Sequence, residues 1–183
     1  MPRIIAGSFR GRRLAAPAQS TRPTSDRVRE AIASMLGSRT DIADARVLDL
    51  YAGTGALALE ALSRGAGQAV LVEADRKAAA VARENIAGCG AGDRARVVQR
   101  TAESFLAAPS SSVFDLVFLD PPYALSADAV TEVLAALPPH LAPGAWVVLE
   151  RASRDEDPRW PDALEEVARK DYGDTTVTLA QLV

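Results

Sequence analysis

Five short apolar runs, separated by segments of helical periodicity, narrow the folds open to this chain more than any other feature. Residues 46–50, 69–72, 96–99, 114–119 and 145–149 read as strands, and 55–63, 76–86, 103–107 and 127–137 between them read as helices. Such alternation predicts an α/β doubly wound, mostly parallel sheet covered by helices on both faces. The ending differs: 165–172 and 175–182 flank Gly173-Asp174, the pattern of an antiparallel C-terminal hairpin. Ahead of the alternation, Thr24 or Ser25 can cap a helix running to about Leu36, with Val28, Ile32, Met35 and Leu36 on one face and Gly37 closing it. At 183 residues and 48% hydrophobic composition, one compact domain follows. The expected division is a basic N-terminal arm at 1–24, holding a short hairpin around residues 7–12, and the folded domain at 25–183.

In a sheet of this kind ligands sit beyond the carboxyl ends of the strands, at the point where strand order reverses. Three predicted strand ends carry chemistry: Asp49 with a glycine loop, Glu73, and Asp120-Pro121-Pro122-Tyr123. If the first and fourth strands are neighbours, all three line one crevice.

The first of these is Asp49-Leu50-Tyr51-Ala52-Gly53-Thr54-Gly55. Gly53 and Gly55 let backbone approach a ligand that a Cβ would repel. The helix that follows offers roughly half a unit of positive charge at its N-terminus, suited to a carboxylate or phosphate. Glu73 lies twenty residues after Gly53, where an acid can accept from both hydroxyls of a ribose. Asp75 is expected to cap the next helix. This loop fits S-adenosylmethionine as well as a nicotinamide dinucleotide. For the former, Tyr51 and Ala52 join the loop contacts, Asp49 meets the ammonium, Glu73 and Ala74 lie by the ribose, the adenine sits by Thr101-Ala102, and Asp120 also borders the cofactor.

The Asp120 turn separates the two cofactors. An exocyclic amine on a nucleobase is a poor nucleophile because its lone pair is delocalised into the ring. The Asp120 carboxylate and the Pro121 carbonyl can accept from its hydrogens and favour a more tetrahedral nitrogen, so transfer becomes mostly positioning and charge stabilisation. Two prolines, Pro121 and Pro122, remove two backbone donors and stiffen the turn. Tyr123 offers a face for the target base, worth roughly 1–3 kcal/mol, against the few kcal/mol needed to flip a base out.

Composition removes other chemistries. Cys89 and His140 are the sole residues of their types, which argues against disulfides, cysteine-histidine metal sites and histidine-based nucleophilic catalysis. His140, in a proline-rich loop, is expected at the surface. No stretch is long and apolar enough for a bilayer, and the N-terminus lacks a signal-peptide core, so a cytoplasmic protein without membrane contact is expected. The net charge of −3 is unevenly spread. Residues 1–30 carry seven arginines against Asp26 and Glu30, a local +5, leaving −8 elsewhere. A basic arm on an acidic body fits a protein that grips phosphate at one end. The candidates for RNA contact are Arg3, Arg10, Arg12, Arg13, Arg22 and Arg27.

Taken in order, Arg3-Ile-Ile-Ala-Gly7 with Arg10-Gly-Arg12, Arg22-Pro-Thr-Ser-Asp-Arg-Val-Arg29, Val47 to Leu57, Glu60-Ala-Leu-Ser-Arg-Gly-Ala66, Asp120 to Tyr123 and Tyr172-Gly-Asp-Thr175 resemble the bacterial 16S ribosomal RNA guanine-N2 methyltransferase family. The resemblance spans nearly the whole chain. It implies a class I, Rossmann-like methyltransferase fold, S-adenosylmethionine as methyl donor, and one guanine of 16S rRNA as acceptor within the 30S subunit or a late assembly intermediate. A monomer is expected. Adenine-N6 methylation, a nicotinamide-dependent dehydrogenase and a non-catalytic nucleotide-binding assembly factor stay open as alternatives on the residues alone.

Overall fold

The computed structural model describes residues 1–16, 25–109 and 112–183. Its elements run α1 (Asp26–Gly37), β1 (Arg46–Leu50), α2 (Ala56–Ser63), β2 (Gln68–Val72), α3 (Arg76–Gly88), β3 (Ala95–Val98), α4 (Ala102–Ala107), β4 (Phe114–Leu119), α5 (Ala127–Ala136), β5 (Leu141–Ala152), β6 (Leu164–Tyr172) and β7 (Thr175–Leu182). They build one seven-stranded sheet in the order β3-β2-β1-β4-β5-β7-β6. The first five strands are parallel, and β7 runs antiparallel to both β5 and β6. The order reverses between β1 and β4, which pair directly (Leu48 with Val117, Leu50 with Leu119). The reversal that the sequence reading required is therefore present, and it brings the ends of β1 and β4 side by side.

Alternation along the strands sorts the core into two layers. On one face, Val47 and Leu71 pack with α1, α2 and α3 through Ile32, Leu59 and Ile86. On the other, Leu48, Leu50 and Val117 pack with α4 and α5 through Leu106, Val130 and Leu134. Asp49 shares the parity of Val47, so strand geometry aims its carboxylate toward α2.

The N-terminal hairpin is docked on this body. Arg3 and Arg13 form an antiparallel bridge, closed by Ile4 N–H to Arg12 O and Gly11 N–H to Ile4 O, both at 2.9 Å. Ile4, Phe9 and Leu14 are buried in the α1–α2–α3 layer. Burial of such side chains contributes roughly 1.5–3 kcal/mol each. The carboxylate of Glu60 on α2 accepts from the Ile5 and Ala6 amides, and Ser63 Oγ accepts from the Phe9 amide. Gly7 makes the approach possible: its φ is +85°, and a Cβ there would lie 1.8 Å from the Ser63 carbonyl oxygen.

Several boundaries moved from expectation. Ser25 caps α1 by accepting from Val28 N–H, while Gly37 stays inside the helix and Ser38 closes it in an ordinary right-handed conformation. Strand β5 extends to twelve residues because β7 pairs it as far as Ala152. His140 is not a surface residue: it is 3% exposed, in a 3-10 turn (Pro138–His140), with Nε2 2.9 Å from the Leu106 carbonyl oxygen. Its ring lies 6.2 Å from the Phe105 ring, centroid to centroid, and the Leu106 carbonyl that it meets is 34 residues away along the chain.

Candidate active site

The glycine loop leaves β1 through Tyr51, whose φ of +61° is left-handed and uncommon for a residue with a side chain. Gly53 and Gly55 continue the turn at φ +56° and +81°. At Gly55 a Cβ would come within 2.7 Å of Leu71 Cδ2, whereas at Gly53 nothing of the protein lies within 4 Å of where one would be. The loop is thus pressed against the sheet at Gly55 and open at Gly53.

Gly55 is the N-cap of α2 and has no side chain to accept from the first-turn amides. Asp49 does this from the neighbouring strand, with Oδ2 3.1 Å from the Ala58 nitrogen. The residue is 1% exposed, and its second oxygen, Oδ1, has no hydrogen-bond partner. Burial pushes its pKa up to about 8; the Ala58 amide works against the rise, and the charges of Asp120 and Glu73 add to it. Three carboxylates from the ends of β1, β2 and β4 therefore bear on one another. Such a cluster can receive positive charge, and Asp49 Oδ1 is a buried acceptor with no partner.

Glu73 is held in place by both oxygens: Oε2 accepts from Gly53 N–H and Oε1 from Asp75 N–H, each at 2.8 Å. Each oxygen keeps a further lone pair for a hydroxyl donor. Asp75 caps α3 by accepting from Ala78 N–H, and Ala74 is exposed between the two acids. Beyond the end of β3, Thr101 caps α4 by accepting from Ser104 N–H with one lone pair of its hydroxyl. Ala102 is buried beneath it. The acid on this side is Glu103, whose Oε1 meets the Tyr51 hydroxyl at 3.1 Å and ties the glycine loop to α4. Burial and then Glu103 raise the Tyr51 pKa, keeping the phenol protonated as the donor. Sequence reasoning passed over Glu103, because 52 residues separate it from Tyr51 and only the strand order joins them.

The Asp120 turn leaves β4 beside the glycine loop. Asp120 is half-buried, Pro121 buried and Pro122 exposed. The Pro122 carbonyl accepts from Leu125 N–H at 2.9 Å, so of the two proline carbonyls it is the one spent on closing the turn. Arg151 Nη1 on β5 donates to the Leu125 carbonyl, and Ser126 caps α5. These contacts fix the base of the turn and leave Tyr123 50% exposed at its tip.

Among the arginines, Arg3, Arg10, Arg13 and Arg27 are exposed. Arg12 is exposed too, but its Nη1 donates to the Gly88 carbonyl at 2.7 Å and its guanidinium lies 5.5 Å over the Phe9 ring. Arg22 lies outside the described residues. Arg29, which composition counted with the basic arm, is 1% exposed and donates to the Arg3 carbonyl and to Asp26. Among the described residues no group of His, Cys, Asp and Glu is arranged to hold a metal ion, and no helix is long and apolar enough to cross a membrane.

Solved structures with this architecture define its class. The protein described as "Putative methyltransferase yhhF from Escherichia coli" is 37% identical and superposes with a TM-score of 0.86 over 98% of this chain and 97% of that one. An RNA methyltransferase from Salinibacter ruber, solved in complex with S-adenosyl-L-homocysteine, shares the fold at 20% identity and a TM-score of 0.66, covering 87% of this chain and 93% of that one. The fold is that of the Rossmann-like class I methyltransferases, as the family resemblance implies. Within it, the chain belongs to the family described as Conserved hypothetical protein 95, whose model matches residues 2–181. Ribosomal RNA small subunit methyltransferase D of Escherichia coli (strain K12) is 48% identical over 122 residues, 66% of this chain. The matched stretch spans 60% of that relative's length.

Proposed function

We propose that this protein methylates 16S ribosomal RNA, using S-adenosylmethionine, and that the acceptor is the N2 amine of a guanine presented by an assembling small subunit. The observation that carries the reading is the convergence of Asp49, Glu73 and Asp120 at the β1–β4 reversal, beside a loop open at Gly53. A cation-receptive crevice next to an amine-handling turn suits transfer from a sulfonium to an amine. The name of the Escherichia coli relative supports ribosomal RNA as substrate.

S-adenosylmethionine supplies an electrophilic methyl on positively charged sulfur. The protein's own residues do the rest. The Gly53 region and the α2 N-terminus receive the methionine carboxylate, Asp49 Oδ1 accepts from its ammonium, and Glu73 accepts from ribose hydroxyls. Thr101 and Ala102 lie by the adenine, which backbone groups read. Asp120 and the Pro121 carbonyl accept from the two hydrogens of the target amine, concentrating its lone pair. Tyr123 stacks on the base at the mouth of the crevice. After the nitrogen takes the methyl it is cationic and sheds a proton to solvent, so no strong base is needed. His140, buried beneath α4 on the Leu106 carbonyl, has no part in this chemistry.

Arg3, Arg10, Arg13 and Arg27, with Arg22, are assigned to RNA phosphate, and Arg12 to both the hairpin and phosphate. The test is to incubate the protein with radiolabelled S-adenosylmethionine and small subunits from cells lacking the modification, then digest and chromatograph the nucleosides. Label in N2-methylguanosine is expected. Label in N6-methyladenosine would move the protein to the adenine class, and no label on any RNA would remove the reading.

A further inference from the structure

Asn85, on the last turn of α3, belongs to none of the sequence motifs. Its side chain makes three hydrogen bonds to two distant segments. Oδ1 accepts from the Ala15 amide at 2.7 Å, and Nδ2 donates to the Ala15 carbonyl at 3.0 Å and to the Thr54 carbonyl at 2.9 Å. Ala15 is the last part of the hairpin before the segment that leads into α1. Thr54 sits between Gly53 and Gly55 in the cofactor loop. One amide thus copies a strand partner for the hairpin exit and clamps the glycine loop, and it does so 4% exposed. The network fixes its orientation, since the Ala15 N–H needs the oxygen and both carbonyls need the nitrogen. A second contact reinforces the first: Arg12 Nη1 holds the Gly88 carbonyl three residues further along the same helix.

We propose that Asn85 is a positioning residue that couples the cofactor loop to the basic hairpin, so that cofactor and RNA each tighten the binding of the other. The inference rests on the methyltransferase reading for the identity of the two ligands. Its physical content is separate. Thr54 can shift only if Asn85 follows or a half-buried carbonyl loses this donor, and Asn85 can follow only by pulling on both polar groups of Ala15. A ligand that fixes the loop therefore narrows the positions open to the hairpin exit, and Arg13 lies two residues from Ala15. By linkage the effect is reciprocal and equal in both directions.

Two measurements test it. In the first, the dissociation constant of S-adenosylhomocysteine is measured with and without unmodified small subunits. For the unaltered protein about a fivefold or greater tightening is expected. In Asn85→Ala, and in Asn85→Asp, which keeps the acceptor for Ala15 N–H and loses both donors, the ratio falls to within about twofold of one. A merely structural role would weaken both ligands and lower Tm while leaving the ratio intact, and that result overturns the proposal. The second uses the unaltered protein alone, so it stands whether or not the variants fold. Saturating S-adenosylhomocysteine should slow hydrogen exchange at the Ala15 amide by about fivefold or more. Bound S-adenosylhomocysteine with unchanged exchange at Ala15 overturns the coupling but leaves the methyltransferase reading standing. Failure of S-adenosylhomocysteine to bind at all overturns both.

Discussion

Asp49 Oδ2 lies 3.1 Å from the Ala58 nitrogen, so a carboxylate in the middle of the sheet caps a helix whose own N-cap is a glycine. Burial, working against that hydrogen bond, makes it an acid that is neutral over much of the ordinary pH range. Folding raises its pKa from 3.8 to about 8. Between those values the folded chain holds a proton that the unfolded chain has released. Stability from this group is complete below about pH 4 and is lost as pH rises through 8, with a slope approaching about 1.4 kcal/mol per pH unit. In Asn at this position the amide oxygen still accepts from Ala58 but nothing titrates. Chemical denaturation at steps from pH 5 to 8 should show a steeper fall for the unaltered protein than for Asp49→Asn. Parallel curves would contradict the assignment.

The same proton bears on cofactor binding. An ammonium beside Asp49 favours the ionised acid, so binding should release up to one proton between pH 5 and 8. Calorimetry in two buffers of different ionisation enthalpy measures the release directly. Asp49→Asn should abolish it and weaken S-adenosylmethionine by about tenfold or more, the scale of a charge-assisted hydrogen bond.

Gly7→Ala should detach the hairpin. The added methyl would meet the Ser63 backbone carbonyl, which cannot yield without moving α2, and φ +85° is strained for alanine. Limited trypsin digestion reads the outcome at Arg10, Arg12 and Arg13. Cleavage there should accelerate about tenfold or more, and an unchanged rate would mean that the hairpin docks some other way.

The arginines should divide into two groups. Arg10→Ala and Arg13→Ala remove exposed charge, and each should lower the salt slope of RNA binding by about one without changing Tm. Arg12→Ala also removes the bond to Gly88 and the stacking on Phe9, and should lower Tm as well. Identical behaviour of all three would undo the division.

The features that the sequence revealed were local and periodic. Strands at 46–50 and 114–119 were bounded correctly because their ends carry punctuation, a glycine loop in one case and two prolines in the other. The C-terminal hairpin was legible from Gly173, whose φ is +62°. What escaped depended on which segments lie across from one another. His140 looked like a loop histidine until α4 covered it. Asp49 looked like a ligand contact, and only the placement of α2 shows it as a buried cap as well. Arg12 counted as one more positive charge until the Gly88 carbonyl came within 2.7 Å. Asn85 and Glu103 carry no signature of their own, because their partners lie 31 to 70 residues away.

The most direct test of the account is single-turnover transfer by Asp120→Asn. With radiolabelled S-adenosylmethionine and unmodified small subunits in excess, the variant should transfer methyl at least about a hundredfold more slowly than the unaltered protein, the scale of losing one preorganised charge-stabilising group. Its affinity for S-adenosylhomocysteine should stay within about threefold. Undiminished transfer, with cofactor binding intact, would contradict the assignment of Asp120 to the target amine and with it the proposed chemistry of the turn.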